Sequence, residues 1–225
     1  MRILAIETSM GRTSVALTSA AGEPMHVRSL EAGQPQAEGL IPLIADLMAE
    51  AAISFSSLGR IAVCIGPGGF SGIRTGVAAA RAIGLAAQVP VVGATSFQII
   101  AAAFESEEDA PDAYGIAAPA GLGAIFCQIF GPERAALSDL AVLRDAEAAG
   151  FFEGRAKLLV GPAAARAAGA DSLMPMRFAE LVPDAATLAA MAPGLDPETA
   201  RPSPFYARPA DARPQTAHLI PRKEG

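Results

Sequence analysis

The sequence Gly66-Pro67-Gly68-Gly69-Phe70-Ser71-Gly72-Ile73-Arg74 separates two apolar segments. Residues 61–65 before it have the pattern of a buried strand, and residues 73–87 after it form a proline-free run long enough for a helix. The glycines therefore occupy a strand-to-helix turn. Backbone N–H groups and the helix dipole at such a turn favour an anion, while glycine also permits a tight structural turn. The motif fits neither a Walker A loop nor a dinucleotide fingerprint, so both interpretations stay open.

Small residues recur every four positions in the helix predicted after the turn. They fall on one helix face, because residues four apart are neighbours on the helix surface. Each interior glycine costs about 1 kcal/mol relative to alanine, so something must pack very close to this face. That neighbour is either the core of this chain or a helix of another chain. For the second case we predict a partner interface made of the stripe and of leucines in the preceding helix: Gly72, Gly76, Ala80, Gly84, Leu40, Leu43 and Leu47.

The first hundred residues predict the element order β-β-β-α-β-α-β-α. Strands are predicted at 2–6, 13–18, 25–30, 61–65 and 89–92, with helices at 37–52, 73–87 and 96–104, the last capped by Ser96. This order resembles a ribonuclease H-like lobe, the building block of the actin, sugar kinase and Hsp70 superfamily. In that superfamily the acidic residue of the first hairpin faces the nucleotide phosphates. The candidate nucleotide or anion loop is therefore Glu7, Thr8, Ser9, Gly66, Gly68, Gly69 and Arg74. Thr8 and Ser9 would alternatively hydrogen-bond the backbone of their own turn.

An acidic, proline-containing stretch at residues 105–112 predicts a domain boundary. We predict a first lobe at 1–104, a second and reduced α/β lobe at 113–200, and a proline-rich extended tail at 201–225. The second lobe is expected to contain strands at 114–118, 124–130 and 158–160 and helices at 162–168 and 184–191. Its pattern does not repeat the full element order of the first lobe.

Composition limits the function classes. The chain has 225 residues, 52% of them hydrophobic, and a net charge of −6, which weighs against tight unaided binding to RNA or DNA. Cys64 and Cys127 lie in apolar runs and are expected to be buried and reduced. His26 and His218 lie in different segments, so the sequence shows neither a metal site nor a Ser-His-Asp arrangement. No leader or membrane span is apparent, and we expect a cytoplasmic protein.

With these motifs placed, the chain resembles the bacterial tRNA threonylcarbamoyladenosine biosynthesis family TsaB, formerly YeaZ. Residues 66–74 resemble that family's Gly-Pro-Gly-Ser-Phe-Thr-Gly-x-Arg, and residues 3–9 with 14–17 resemble its opening hairpin. Residues 37–42 look like the start of its first helix, and residues 204–208 are similar to its Pro-x-Tyr-Leu-Arg tail. The departures are Gly69 and Ser71 in the turn, Glu7 in place of aspartate, Gln36 in place of histidine, and uncharged residues at 119–126.

The resemblance implies a non-catalytic scaffold subunit. Members pair with the related catalytic subunit TsaD and the ATPase TsaE to transfer threonylcarbamoyl to an adenosine beside the tRNA anticodon. It further implies that tRNA is reached only through the complex, that ATP or ADP is a candidate ligand at the partner interface, and that the chain alone can pair with a second copy. The alternative is an autonomous nucleotide-dependent enzyme of the same superfamily, such as a small-molecule kinase. A third option is a homodimeric binding module.

Overall fold

The computed structural model describes residues 1–19, 24–30, 35–107, 110–169, 172–177 and 180–207. Arg208 of the tail motif and His218 lie outside the described residues. Of the predicted extended tail, residues 201–207 are described, and they contain neither helix nor strand. Within the described part of the chain, no helix has the length and apolar character needed to cross a membrane.

The first sheet has five strands in the order β3-β2-β1-β4-β5. Strands β1 to β3 form an antiparallel meander, and β4 and β5 add to β1 in parallel. The strands are β1 (Ile3–Glu7), β2 (Ser14–Thr18), β3 (Pro24–Ser29), β4 (Arg60–Cys64) and β5 (Val91–Ala94). Each strand predicted for the first lobe is therefore confirmed, with bounds that shift by one or two residues.

Two helices, α1 (Gln36–Glu50) and α2 (Phe70–Ala87), cover one face of this sheet. Side chains alternate along a strand, so Leu4 and Ile6 of β1 pack beneath these helices while Ile3 and Ala5 face the other way. Helix α2 begins three residues earlier than predicted, because Gly69 is its N-cap. The glycine motif is thus a strand-to-helix turn, as the sequence predicted.

The second sheet also has five strands, in the order β10-β9-β6-β7-β8. Read from β8, this is the strand order of the first sheet, so the prediction that the second part does not repeat the first is wrong. The repeat escaped the sequence because the strands at 141–144 and 176–177 and the helix at 145–152 were not predicted. The strand at 176–177 has two residues, too few for a hydrophobic period, whereas the strand predicted at 158–160 is confirmed at 159–160. The elements are β6 (Tyr114–Gly121), β7 (Ala124–Phe130), β8 (Ala141–Arg144), α4 (Asp145–Phe152), β9 (Leu159–Val160), α5 (Ala164–Ala168) and β10 (Met176–Arg177).

Two remaining helices, α3 (Ser96–Glu107) and α6 (Ala185–Met191), connect the sheets. Helix α3 packs Phe97, Ile100 and Phe104 into the core of the second sheet. Helix α6, which the sequence placed in the second lobe, instead packs its small apolar residues on the first sheet. Each lobe thus contributes a helix to the other's core, which corrects the predicted division between residues 104 and 113. Helix α3 also continues three residues beyond the predicted end, into the acidic stretch.

Candidate functional site

The loops after β1 and β4 meet at the carboxyl ends of these two neighbouring strands. The Gly69 N–H donates to the Ser9 carbonyl oxygen at 2.6 Å, and the Thr8 hydroxyl donates to the Gly72 carbonyl oxygen at 2.7 Å. A Cβ atom added at Gly68 would lie 2.2 Å from the Ser9 carbonyl oxygen. Glycine is therefore needed at this position because the loop after β1 packs directly on the turn.

Glu7 does not face an open phosphate site. Its side chain is fully buried, and Oε1 accepts hydrogen bonds from the Ser9 N–H at 2.6 Å and the Ser9 hydroxyl at 2.5 Å. Its Oε2 has no hydrogen-bond partner among the described residues. Burial raises the pKa of Glu7 from 4.5 to about 7, against the lowering effect of the hydrogen bonds from Ser9. The alternative that the Thr8 and Ser9 hydroxyls bond the backbone of their own turn is not what the structure shows, because the Ser9 hydroxyl donates to the Glu7 carboxylate and the Thr8 hydroxyl to the Gly72 carbonyl of the other loop.

Cys64 completes this buried group. Its thiol donates to the Ser9 hydroxyl at 3.3 Å, and burial raises the pKa of the thiol well above its ordinary value. Cys127 is likewise a free, buried cysteine. The prediction of two buried, unpaired cysteines is therefore confirmed. Among the residues that the structure describes, no group of three or more histidine, cysteine, aspartate or glutamate side chains is arranged to hold a metal ion.

Arg74, the one cation of the predicted loop, contacts the tail. Its guanidinium lies 3.8 Å from the centre of the Phe70 ring, and its Nε donates to the Tyr206 hydroxyl at 2.9 Å. The Phe70 and Tyr206 ring centres are 4.8 Å apart. The Phe205 N–H also donates to the Ile65 carbonyl oxygen at 2.8 Å. The tail motif thus packs against the glycine turn, and the sequence did not predict this contact.

Helix α3 supports the turn from the other side. Thr95, rather than the predicted Ser96, caps this helix, since its hydroxyl accepts from the Gln98 N–H at 3.1 Å. The Ser96 hydroxyl is turned away and donates to the Pro67 carbonyl oxygen at 2.7 Å. The glycine turn is therefore held by β1, by α3 and by the tail at once.

The small-residue stripe of α2 faces the chain's own sheet. A Cβ atom at Gly72 would lie 2.1 Å from the Thr8 carbonyl oxygen, and one at Gly76 would lie 2.3 Å from the Thr8 hydroxyl. At Gly84 the added atom would lie 2.3 Å from a Val91 methyl carbon, and Ala80 is fully buried. The prediction that this stripe is a surface for a partner is wrong, because the stripe provides close helix-to-sheet packing within the chain.

The leucines predicted for the same interface also pack into the core of the chain. Leu40 and Leu47 are fully buried and Leu43 is partly buried in the core under α1 and α2. Gln36, at the start of α1, lies against Gly72: a Cβ added to that glycine would be 2.9 Å from the Gln36 amide oxygen. The side of α1 and α2 turned away from the sheet consists of other residues. We call it the outer face: Ile41, Pro42, Ala45, Ala78, Ala82 and Leu85.

A cavity of about 410 Å³ lies beside the glycine turn, between the two sheets. Its floor comes from the loops after β1 and β4, and one wall comes from the β6–β7 hairpin, where the sequence departs from the family's charged pattern. The tail closes it on another side. Its lining residues are Ser9, Met10, Gly11, Gly68, Gly69, Phe70, Ile73, Pro119, Ala120, Gly121, Phe126, Pro162, Val182, Phe205, Tyr206 and Ala207. Only Ser9, Gly68 and Gly69 of the predicted anion loop reach this cavity.

Comparison with known proteins places these features in a class. The family model for TsaD, tRNA N6-adenosine threonylcarbamoyltransferase, matches residues 30–139. A structure described as YeaZ from Pseudomonas aeruginosa superimposes with a TM-score of 0.72 at 22% identity, covering 91% of this chain and 99% of that one. A second, described as an uncharacterised protein similar to the peptidase YeaZ of that organism, gives a TM-score of 0.76 at 23% identity, covering 92% and 99%. The chain has the α/β fold of the actin, sugar kinase and Hsp70 class, as predicted.

Sequence relatives narrow this similarity to particular proteins. The Escherichia coli protein TsaB is 30% identical over 101 residues, which cover 45% of this chain and 43% of that protein. A tRNA N6-adenosine threonylcarbamoyltransferase from Sorangium cellulosum is 29% identical over 204 residues, covering 76% of this chain and 57% of that protein. The matched region thus spans less than half of the TsaB relative. Together the sequence and structure matches confirm the resemblance to the TsaB (YeaZ) family that is seen in the motifs of the chain.

Proposed function

We propose that this protein is a non-catalytic scaffold subunit in the synthesis of tRNA threonylcarbamoyladenosine. The observation that carries the proposal is the similarity of the chain, over 101 and 106 residues, to TsaB relatives named for that pathway. In this proposal the chain pairs with a homologous catalytic subunit, TsaD, and works with the ATPase TsaE. The match of residues 30–139 to the TsaD model supports a shared fold in the two partners. A net charge of −6 fits a subunit that meets tRNA only through the complex.

The outer face of α1 and α2 is the surface we assign to the partner. Leu85 and Ile41 keep 83% and 55% of their surface exposed, although both belong to helices whose other side is buried core. The outer face also carries small exposed side chains, Ala45, Ala78 and Ala82, which permit close approach of another helix. Exposed apolar side chains grouped on adjacent helices are typical of protein contact surfaces. In the absence of the partner, the same face would pair two copies of the chain.

The test is a binding measurement with the TsaD homologue of the same cell. Burying one leucine contributes about 1.5–3 kcal/mol, so Leu85→Glu should weaken the complex by about one to two orders of magnitude. Leu173→Glu is the matched control, since Leu173 is 98% exposed in the other lobe. Both variants should keep the melting temperature of the parent. Equal affinities for the two variants would show that the outer face is not the contact.

The functional claim needs a separate measurement. Cells depleted of this chain should lose threonylcarbamoyladenosine from their tRNA, as measured by mass spectrometry of digested tRNA. Re-expression of the parent chain should restore the nucleoside, and re-expression of Leu85→Glu should restore it poorly. Unchanged modification after depletion would refute the proposed function. ATP turnover by the isolated chain that is lost in Glu7→Ala would instead favour the kinase-like alternative.

A further inference from the structure

The cavity beside the glycine turn lies where an open α/β sheet provides a ligand site. In the first sheet, β1 connects to β2 on one side and β4 connects to β5 on the other. At the carboxyl ends of the two strands the chain therefore continues in opposite directions along the sheet, while the loops after β1 and β4 still contact each other through Gly69 and Ser9. A crevice at such a switch point is the usual ligand position in open α/β sheets. The cavity is built on these two loops, through Ser9 to Gly11 and Gly68 to Phe70.

The size of the cavity suits a compound of one or two rings. Its volume of about 410 Å³ falls within the range of about 300–1,000 Å³ that is usual for small-molecule sites. Phe70 and Tyr206 lie at one side and Phe126 at another. Such rings gain most from contact with another flat ring. The closing residues, Phe205 to Ala207, come from the tail and cover the ligand position.

The chemistry of the lining favours an uncharged ligand. None of the described residues that line the cavity has a charged side chain, and of the candidate loop Glu7 accepts from Ser9 while Arg74 contacts Phe70 and Tyr206. Against this described lining of proline, phenylalanine and isoleucine, a phosphate chain would be buried without a paired cation, which is unfavourable. A polar feature of this lining is the start of α2, where Gly69 provides no side-chain cap. The first backbone N–H groups of a helix have no acceptor within that helix and can serve a carbonyl or ring nitrogen.

We propose that this cavity binds an uncharged, ring-containing small molecule that carries a hydrogen-bond acceptor, in place of a nucleotide di- or triphosphate. This site is separate from the proposed partner surface, because no residue of the outer face lines the cavity. The proposal of a ligand site and the proposal of a partner surface can therefore be refuted independently of each other.

The first experiment uses the uncharged naphthalene ketone prodan, whose fluorescence reports an apolar environment. The full chain should bind prodan saturably, with one molecule per chain. Adenosine and ATP share a ring system and differ in charge, so adenosine should displace the probe at lower concentration than ATP. Absence of saturable binding, or displacement by ATP at lower concentration than adenosine, would overturn the proposal.

Variants locate the probe. Ala207→Phe should fill the cavity and weaken prodan binding at least tenfold, a change of about 1.4 kcal/mol. Ala165→Phe is the matched control, because Ala165 is exposed on α5 away from the cavity, and Leu85→Glu should also bind prodan normally. Tyr206→Ala provides a second test if Ala207→Phe has a lowered melting temperature, since it removes a ring from the wall. Parent-like binding by a folded cavity variant, or loss of binding in either control, would show that prodan sits elsewhere.

Discussion

Replacing Gly72 by alanine tests whether the small-residue stripe is internal. The new methyl carbon would lie 2.1 Å from the Thr8 carbonyl oxygen, and this oxygen belongs to backbone that follows the central strand β1. Overpacking costs about 1–3 kcal/mol, and the upper end applies because backbone obstructs the new atom. The higher helix propensity of alanine offsets about 1 kcal/mol of this cost. The net loss in the free energy of unfolding is then about 2 kcal/mol.

Gly150→Ala is the matched control. Gly150 lies inside α4, and a Cβ atom added there meets nothing within 4 Å. The same substitution should therefore stabilise the chain by up to about 1 kcal/mol. In a chain of this size each kcal/mol moves the melting temperature by about 2–4 °C. We expect Gly72→Ala to melt about 4–8 °C below the parent and Gly150→Ala to melt about 2–4 °C above it.

Thermal unfolding followed by circular dichroism measures both variants, with urea midpoints as an independent check. The folded fraction of Gly72→Ala should bind the TsaD homologue as the parent does, because the substituted face points inward. If Gly72→Ala were as stable as Gly150→Ala, the argument for internal packing would fail. A loss of partner affinity at parental stability would restore the stripe as a contact surface.

Three further predictions concern the residues around the turn. Because burial raises the pKa of Glu7 from 4.5 to about 7, the folded chain binds more protons than the unfolded chain between these values. The free energy of unfolding should thus fall by about 3 kcal/mol as pH rises through that window. Glu7→Gln should abolish this fall, and equal pH slopes in urea unfolding would contradict the assignment. Burial raises the pKa of the Cys127 thiol to about 12, and it raises the pKa of the Cys64 thiol further. Neither thiol should therefore react with a disulfide reagent near neutral pH until the chain unfolds. Rapid labelling of the native chain would refute this. Tyr206→Phe keeps the ring contact but loses the hydrogen bond to Arg74, so it should speed proteolysis of the tail less than Tyr206→Ala does.

The sequence by itself determined the first lobe. Its strands have complete hydrophobic periods, and the glycine motif between β4 and α2 leaves little choice for the local backbone. The same local signals located the two buried cysteines. They missed β8, α4 and β10, the last because two residues carry no period. They also selected Ser96 as the cap of α3, because Thr95 beside it is an equally good cap and only the packing of Ser96 on Pro67 decides between them.

Only the tertiary structure decided which face of each helix is buried in the chain. Four small residues at one helical spacing suit a sheet or a partner helix equally well, and the position of Thr8 settles that Gly72 and Gly76 face the sheet. The raised pKa of Glu7 also depends on burial by distant elements, which no local pattern contains. The cavity unites residues from six separated segments, including those of Ser9, Gly68, Ala120 and Tyr206. Local sequence sets the conformation of each segment, whereas a site made between segments exists only once long-range packing brings them together.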